Sequence, residues 1–152
     1  MCLIYPQKLN QTKDVVCYKL FYKYTSTKKN WFIKIINKLF FNKTLLSIFQ
    51  LTNYKLGKLK SLNVNGPLFS TCNNIHGNSL HSFVNFNDVI DYLKYNYQET
   101  DIDEKYILCI VKCIIPKNNN FLYKGTFVNY PSFVSEKLIP KEIIAEWKKI
   151  EN

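Results

Sequence analysis

Arginine is absent from this sequence, and all 21 basic residues are lysines. A guanidinium group makes bidentate contacts with phosphate and guanine that an ammonium group cannot copy. We therefore expect any anion binding to be diffuse and not to read a base sequence. Alanine is nearly absent too, since Ala145 is the one copy, whereas asparagine occurs 18 times. Lys, Asn, Ile, Phe and Tyr are residues that A+T-rich codons supply, so base composition is a second explanation of the lysine excess.

Several other features are missing, and each excludes a class of protein. No apolar run approaches the ~20 residues that span a bilayer, and no secretory signal pattern opens the chain. The cysteines form no C-x-x-C pair and match no zinc-site spacing, so we expect no metal site and reduced, buried thiols in a cytoplasm. They are Cys2, Cys17, Cys72, Cys109 and Cys113. No catalytic motif emerges from the residues.

What is present is enough apolar material for one core. The 152 residues are 47% hydrophobic and include 11 Phe and 11 Tyr, which predicts a single domain spanning residues 1–152. The net charge of +10 is unevenly distributed. Residues 1–60 hold 12 lysines against Asp14 alone, whereas residues 61–152 hold 9 lysines against 10 acids. Such one-sided charge favours anionic partners.

The pattern of apolar residues predicts a mixed α+β fold. Strands are expected at 15–24, 53–62, 80–84, 106–115 and 121–128, and helices at 31–41, 88–97 and 141–150, with 63–79 a loop. Asn87 is the expected N-cap of the second helix, and Pro140 precedes the third. The fold class expected is a small mixed or antiparallel sheet with two or three packed helices, and 106–115 is its central strand.

The basic stretch at 28–43 allows three interpretations. Its apolar residues fall on one helical face and its lysines on the other, as in a helix packed on a core. The same pattern is typical of a helix lying on a membrane surface, although it is short for that role. A third interpretation is a helix whose lysines neutralise phosphates. The basic patch that would bind an anion consists of Lys28, Lys29, Lys34, Lys38 and Lys43.

Four segments resemble small, mostly uncharacterised proteins of bacteriophages and gut bacteria. They are VVCYKLFYK, LLSIFQLTNYKLGKL, LHSFVNFNDVIDYL and ILCIVKCIIPKNNNFLYKGTFVNYPSFVSEKLIPKEII. The four segments make up half of the chain, and the basic stretch 28–43 departs from the resemblance. It implies an accessory protein of a phage or mobile element, located in the cytoplasm of a bacterial host.

The order of elements more remotely resembles the split α+β fold of ADP-ribosyltransferases. LHSFV, DVIDYL and YILCIVKCII stand where those proteins have a strand, a helix and a long apolar strand. This resemblance implies an NAD-dependent enzyme with His81, Tyr92 or Glu136 in its site. The chain departs from the superfamily because it lacks the arginine of the Arg-Ser-Glu pattern, and because the His76-Gly77 pair lies in a loop.

The function expected is therefore non-enzymatic binding of an anionic ligand or partner, which is a nucleotide, a nucleic acid or an acidic protein. The residues expected to hold a small ligand are Tyr18, Lys19, His81 and Ser82. Alternating strand geometry puts His81 and Phe83 on one face and Ser82 on the other, so His81 and Ser82 are not a nucleophile–base pair. No cofactor is expected except NAD in the enzymatic alternative. A peripheral membrane protein is the other alternative, and the oligomeric state is open.

Overall fold

A computed structural model describes residues 3–24, 44–48, 52–62, 68–69, 74–76, 79–96 and 106–147. These residues form an antiparallel sheet of twelve strands and one α-helix, α1 (Phe86–Tyr95). The strands are β1 (Leu3–Lys8), β2 (Val15–Tyr24), β3 (Thr44–Ser47), β4 (Asn53–Lys55), β5 (Lys60–Ser61), β6 (Leu68–Phe69), β7 (Asn74–His76), β8 (Leu80–Phe83), β9 (Tyr106–Ile115), β10 (Leu122–Phe127), β11 (Tyr130–Ser135) and β12 (Lys137–Trp147).

The two longest apolar runs of the sequence form the centre of the sheet. β2 and β9 are rich in β-branched and aromatic side chains, which suit a pleated and buried surface. They pair without interruption from Val15↔Ile115 to Tyr24↔Tyr106. The strands expected at 15–24 and 106–115 are therefore confirmed, and β9 lies between two neighbours as predicted.

The strand order forces the sheet to curl. It runs β5-β12-β9-β2-β8-β11-β10-β1-β7-β6, with β3 and β4 attached beside β2. Three strands thus separate β11 from β12, yet Glu136 is the one residue that joins them along the chain. In a flat sheet those strands would lie roughly 19 Å apart, well beyond the reach of one residue. The sheet is accordingly a curled half-barrel.

The curl gives the sheet an inner and an outer face, and the residues of β2 alternate between them. Cys17, Lys19 and Phe21 define the inner face. Tyr18, Leu20 and Tyr22, which alternate with them along β2, define the outer face. The inner face packs against buried side chains from strands across the sheet, namely Leu45, Tyr54, Leu80, Cys109, Val111, Cys113, Ile115, Leu122, Phe133 and Leu138. The outer face packs against α1 through Val89, Tyr92 and Leu93.

The fold class expected from the sequence is wrong. Instead of two or three helices packed on a small sheet, the described residues form mostly antiparallel strand with one short helix. Among the described residues, the helix that exists was predicted nearly in place, at 88–97 against 86–95 observed. Its N-cap is Asn85 and not Asn87. Part of the expected loop at 63–79 also forms strands, β6 and β7.

The largest error concerns the closing helix at 141–150, because that segment lies mainly in β12. The pairing of β12 with β9 is irregular at two places, between Pro140 and Glu142 and between Ile143 and Ala145. At each irregularity β12 contains one residue more than the facing segment of β9, which is a β-bulge. Pro140 and Ile143 consequently both contribute to the inner face although they are three residues apart. The bulges depend on the pairing with β9 and break the simple alternation by which a strand is recognised, so the sequence pattern of this segment did not indicate a strand.

The predicted basic helix at 31–41, and the whole stretch 28–43, lie outside the described residues. Within the part of the chain that is described, no helix has the length and apolar character needed to cross a bilayer.

Candidate functional site

The sheet divides next to Lys19, because β2 changes its partner there. On this edge β2 pairs with β8 at Tyr18↔Phe83 and then with β3 from Phe21 onward. We call the opening between β8 and β3 the fork. The Lys19 side chain lies in it, and its Nζ donates a hydrogen bond of 2.6 Å to the backbone carbonyl of His81. An ammonium group thereby satisfies a β8 carbonyl where the strands part.

Lys19 is sealed from solvent, with 0% of its surface exposed. Its Nζ lies 5.9 Å from the ring centroid of Phe21 and 5.7 Å from that of Tyr54, so the aromatic rings provide cation–π contacts. Burial lowers the pKa of Lys19 from 10.5 to about 8, and the neighbouring Cys113 and Cys17 oppose that change. The ammonium form therefore predominates at neutral pH, at a cost in stability.

Two buried thiols flank Lys19 on the inner face. Cys17 stands two residues before it on β2, and Cys113 stands directly opposite Cys17 on β9. Burial raises the pKa of Cys17 to about 12, although the Ser82 hydroxyl and the Lys19 charge act in the other direction. Burial also raises the pKa of Cys113 well above 9.0. Both thiols are free and protonated at neutral pH, so neither is poised as a nucleophile.

His81 lies on the outer face, which confirms the predicted alternation of His81 and Ser82. Its neighbour across the ladder is Val134 of β11, and its Nε2 lies 3.3 Å from the Ser79 hydroxyl. Burial first, and the charge of Lys19 second, lower the pKa of His81 to about 3. The imidazole is neutral at physiological pH, and its Nδ1 has no hydrogen-bond partner among the described residues.

The structure does not bring the four predicted ligand-binding residues into one open site. Lys19 and Ser82 belong to the inner face, whereas Tyr18 and His81 belong to the outer face. Lys19, His81 and Ser82 are 0%, 2% and 3% exposed, respectively. Tyr18 packs edge-on against Phe86 of α1, with ring centroids 5.9 Å apart. Among the described residues, these side chains are structural neighbours of a fork and not the walls of an accessible pocket.

Two of the three residues implied by the ADP-ribosyltransferase resemblance, Tyr92 and Glu136, also lie apart. Tyr92 of α1 contacts Phe127 and Tyr130, with ring centroids 5.8 and 6.2 Å away. Glu136 lies at the other end of β11, where its Oε1 accepts a hydrogen bond from the Asn120 amide at 2.9 Å. Six residues of extended chain separate Tyr130 from Glu136, or roughly 20 Å. Tyr92 and Glu136 therefore cannot act on one substrate atom in this arrangement.

The predicted basic patch, Lys28 to Lys43, lies outside the described residues, but the structure reveals another group of lysines. The turn between β4 and β5 carries Lys55, Lys58 and Lys60, and we call residues 55–60 the basic turn. Gly57 turns the backbone at a φ of +77°, which glycine adopts without strain. The Gly57 amide donates to the Pro140 carbonyl at 2.7 Å, which places exposed Lys141 beside the turn.

The basic turn also reaches the buried fork through one ring. Lys60 Nζ lies 5.5 Å from the Tyr54 ring centroid, and Lys19 Nζ lies 5.7 Å from the same centroid. Tyr54 is 1% exposed, and burial raises its pKa. The sequence pattern predicted one strand over 53–62, whereas the structure has a turn at Gly57 between β4 and β5, and the lysines of this segment were not predicted to form a group. The sequence Lys-Leu-Gly-Lys-Leu-Lys, with three lysines around a glycine, is the feature that could have predicted the basic turn.

The described residues contain no cluster of three or more His, Cys, Asp or Glu side chains arranged to hold a metal ion. Comparison with known proteins gave no match to a family model, to a curated protein or to a solved structure.

Proposed function

We propose that this protein is a non-catalytic binding protein that holds the phosphate backbone of a nucleic acid through the basic turn. The observation that carries the proposal is the exposure of Lys55 and Lys58 on one turn, with Lys141 brought beside it by the Gly57–Pro140 hydrogen bond. Of the four residues predicted to hold a small ligand, Lys19, His81 and Ser82 are buried and Tyr18 packs against Phe86, so they support a structural role better than a binding role.

The charge of the chain agrees with a phosphate partner. The basic turn belongs to residues 1–60, which hold the whole positive excess of the sequence. Lysine presents a point charge to phosphate, and no arginine is present to read bases. We therefore expect weak sequence preference and strong salt dependence, as counterion release requires. An accessory role in a phage or mobile element, and a cytoplasmic location, stay predictions beside this proposal.

The test is fluorescence anisotropy with labelled single-stranded and duplex oligonucleotides of two unrelated sequences, over a series of salt concentrations. The turn variant carries Lys55→Gln, Lys58→Gln and Lys141→Gln. A matched control removes the same charge elsewhere, with Lys8→Gln, Lys13→Gln and Lys124→Gln, since these lysines are exposed too. We expect the turn variant to reduce the slope of log affinity against log salt on single strands by roughly 2 and the control to change it little.

Four outcomes contradict the proposal. The first is no salt-dependent binding of the wild type to either oligonucleotide. The second is an equal loss of affinity in the two variants, which indicates charge without a defined surface. Tighter binding to polyglutamate of matched length than to the oligonucleotides assigns the surface to an acidic protein. A third variant, with Lys28→Gln, Lys29→Gln, Lys34→Gln and Lys38→Gln, measures the contribution of the patch predicted from the sequence. A larger loss in this third variant than in the turn variant also counts against the basic turn.

A further inference from the structure

Two buried cysteines face each other across the centre of the sheet. Cys17 of β2 and Cys113 of β9 are direct partners in the ladder, and both are 0% exposed. Directly opposite residues of antiparallel strands have Cα atoms about 4.5 or 5.5 Å apart, according to the type of row. Both separations lie within the ~4.4–6.8 Å range that a disulfide spans. Oxidation of this pair requires no rearrangement of the backbone register.

The third described cysteine provides a contrast on the same strand and the same face. Cys109 is opposite Phe21 and not opposite another cysteine. It lies four residues from Cys113 along an extended strand, which is roughly 13 Å. Cys109 therefore cannot reach Cys17 or Cys113 while the ladder is intact. The register makes Cys17 and Cys113 a pair and leaves Cys109 out.

The position of the pair within the ladder gives a reagent a route to it. The Cys17↔Cys113 row is two rows from the end of the ladder at Val15↔Ile115. Val16, in the row between, is 45% exposed on the outer face, whereas Ile115 at the end of the ladder is 0% exposed on the inner face, so a reagent reaches the pair only when this strand end opens. Strand ends open more readily than strand centres, so this end exposes the pair on opening. Burial raises the pKa of both thiols and outweighs the opposing charge of Lys19, so the thiolate that disulfide exchange requires forms when this end of the ladder opens.

We propose that a low-molecular-weight disulfide such as oxidised glutathione oxidises Cys17 and Cys113 to a reversible cross-strand disulfide. This bond between the two cysteines locks β2 to β9. One cysteine loses its proton and attacks a sulfur of oxidised glutathione, which releases one glutathione thiolate and leaves a mixed disulfide. The other cysteine then loses its proton and displaces the second glutathione. Two protein thiols are oxidised, one glutathione disulfide is reduced, and the two released protons go to the two glutathione thiolates.

The experiment uses the full chain, both native and refolded in a mixture of reduced and oxidised glutathione. Free thiols are then blocked and the protein is digested without reduction. Trypsin cuts after lysine, so Cys17, Cys113 and Cys109 fall in separate peptides, residues 14–19, 113–117 and 106–112. We expect the first two to be recovered as one linked species that lacks two hydrogen atoms and separates on reduction. The peptide 106–112 should be recovered with its thiol blocked.

The variants distinguish this bond from general oxidation. In Cys109→Ser the oxidised protein should still melt at a higher temperature than the reduced protein, because the loop between Cys17 and Cys113 remains closed in the unfolded state. In Cys17→Ser and in Cys113→Ser that difference should vanish. The proposal is overturned if Cys17 and Cys113 are blocked as free thiols after both treatments. It is also overturned if Cys17 links mainly to Cys2, Cys72 or Cys109.

Discussion

The two faces of β2 share one backbone but differ in how they are covered. The inner face carries Cys17, Lys19 and Phe21, and the curl of the sheet closes over them. The outer face carries Tyr18, Leu20 and Tyr22, and one helix covers part of it. The inner face of the sheet thus encloses a cation and three thiols in a buried interior, whereas the outer face keeps several aromatic rings half-exposed. The difference shows that a polar side chain of this strand has a structural role where the sheet buries it, whatever its residue type.

The largest expected effect tests which face carries more of the stability. Phe21→Ala removes a ring that is 0% exposed, and it should lower the free energy of unfolding by about 3–5 kcal/mol. Tyr22→Ala, one residue along and on the outer face, should lower it by about 1–2 kcal/mol because that ring is only partly buried. Urea denaturation followed by circular dichroism measures both. Equal losses would show that the two faces contribute alike.

A second prediction concerns pH, and it isolates the buried cation. Lys19 has a pKa of about 8 in the folded state and 10.5 as its ordinary value. Between these values the unfolded chain binds a proton that the folded chain has released, so the Lys19 contribution raises stability with pH. Compared with Lys19→Met, the wild type should gain about 1 kcal/mol per pH unit in this window. Denaturation midpoints from pH 7 to 10, under reducing conditions, supply the curves.

The thiols act in the opposite direction in the same experiment. The pKa of Cys17 and that of Cys109 rise from 9.0 to about 12 on folding, so above pH 9 the unfolded chain loses protons that the folded chain keeps. Their contribution therefore falls as the pH rises. We expect the wild-type stability to be greatest near pH 8–9. In this range the contribution of Lys19 to stability rises with pH, and at higher pH the contribution of the thiols falls. Lys23→Met, on the same strand, is the control and should retain the rising limb.

A smaller effect is expected at the outer face, in the hairpin that holds Phe127 and Tyr130. The turn residues Val128 and Asn129 have φ values of 48° and 68°. A β-branched residue is strained in that region, whereas asparagine and glycine tolerate it. Val128→Asn should raise the free energy of unfolding by about 1 kcal/mol. Val128→Ala keeps most of the strain and should gain much less, and a loss of stability in Val128→Asn would show that the valine side chain has a packing role.

The smallest effect concerns the rim of the inner face. Lys23 Nζ and Glu146 Oε1 are 2.8 Å apart, and their side chains are 22% and 37% exposed. Because water screens such a pair, Glu146→Gln should change stability by about 0.5 kcal/mol or less, and the change should fade at high salt. A loss several times larger, or one that is insensitive to salt, would show that the Lys23–Glu146 pair belongs to the buried interior and not to its solvent-exposed rim.

The strands that the sequence predicted well are those with regular pairing. β2 and β9 are rich in β-branched and aromatic residues and pair without irregularities, so their bounds agree with the prediction. β12 carries four charged residues and a proline, and two bulges shift which of its residues face inward. A bulge depends on what the neighbouring strand requires, and Lys141 or Ile144 carries no local sign of it. Sequence periodicity alone therefore predicted a helix there.

The candidate site shows the same division. Alternation along β8 correctly separated His81 from Ser82, because that property is local. The burial of Lys19 could not be predicted, since lysine is usually exposed and its place depends on the fork where β2 parts from β8. The basic turn likewise requires Pro140 of β12 to meet Gly57, two residues 83 positions apart in the chain.

The sequence by itself determined the length and identity of the central strands, the existence of α1, the uneven charge and the absence of base-reading arginines. These follow from local composition and from the alternation that any extended chain must show. Only the tertiary structure decided that β12 is a strand, that Lys19 lies in a dry interior, and that Cys17 is opposite Cys113. Those facts depend on the register and curl of a sheet whose partners are distant in sequence. They are set by the pairing of whole strands, which no single segment encodes.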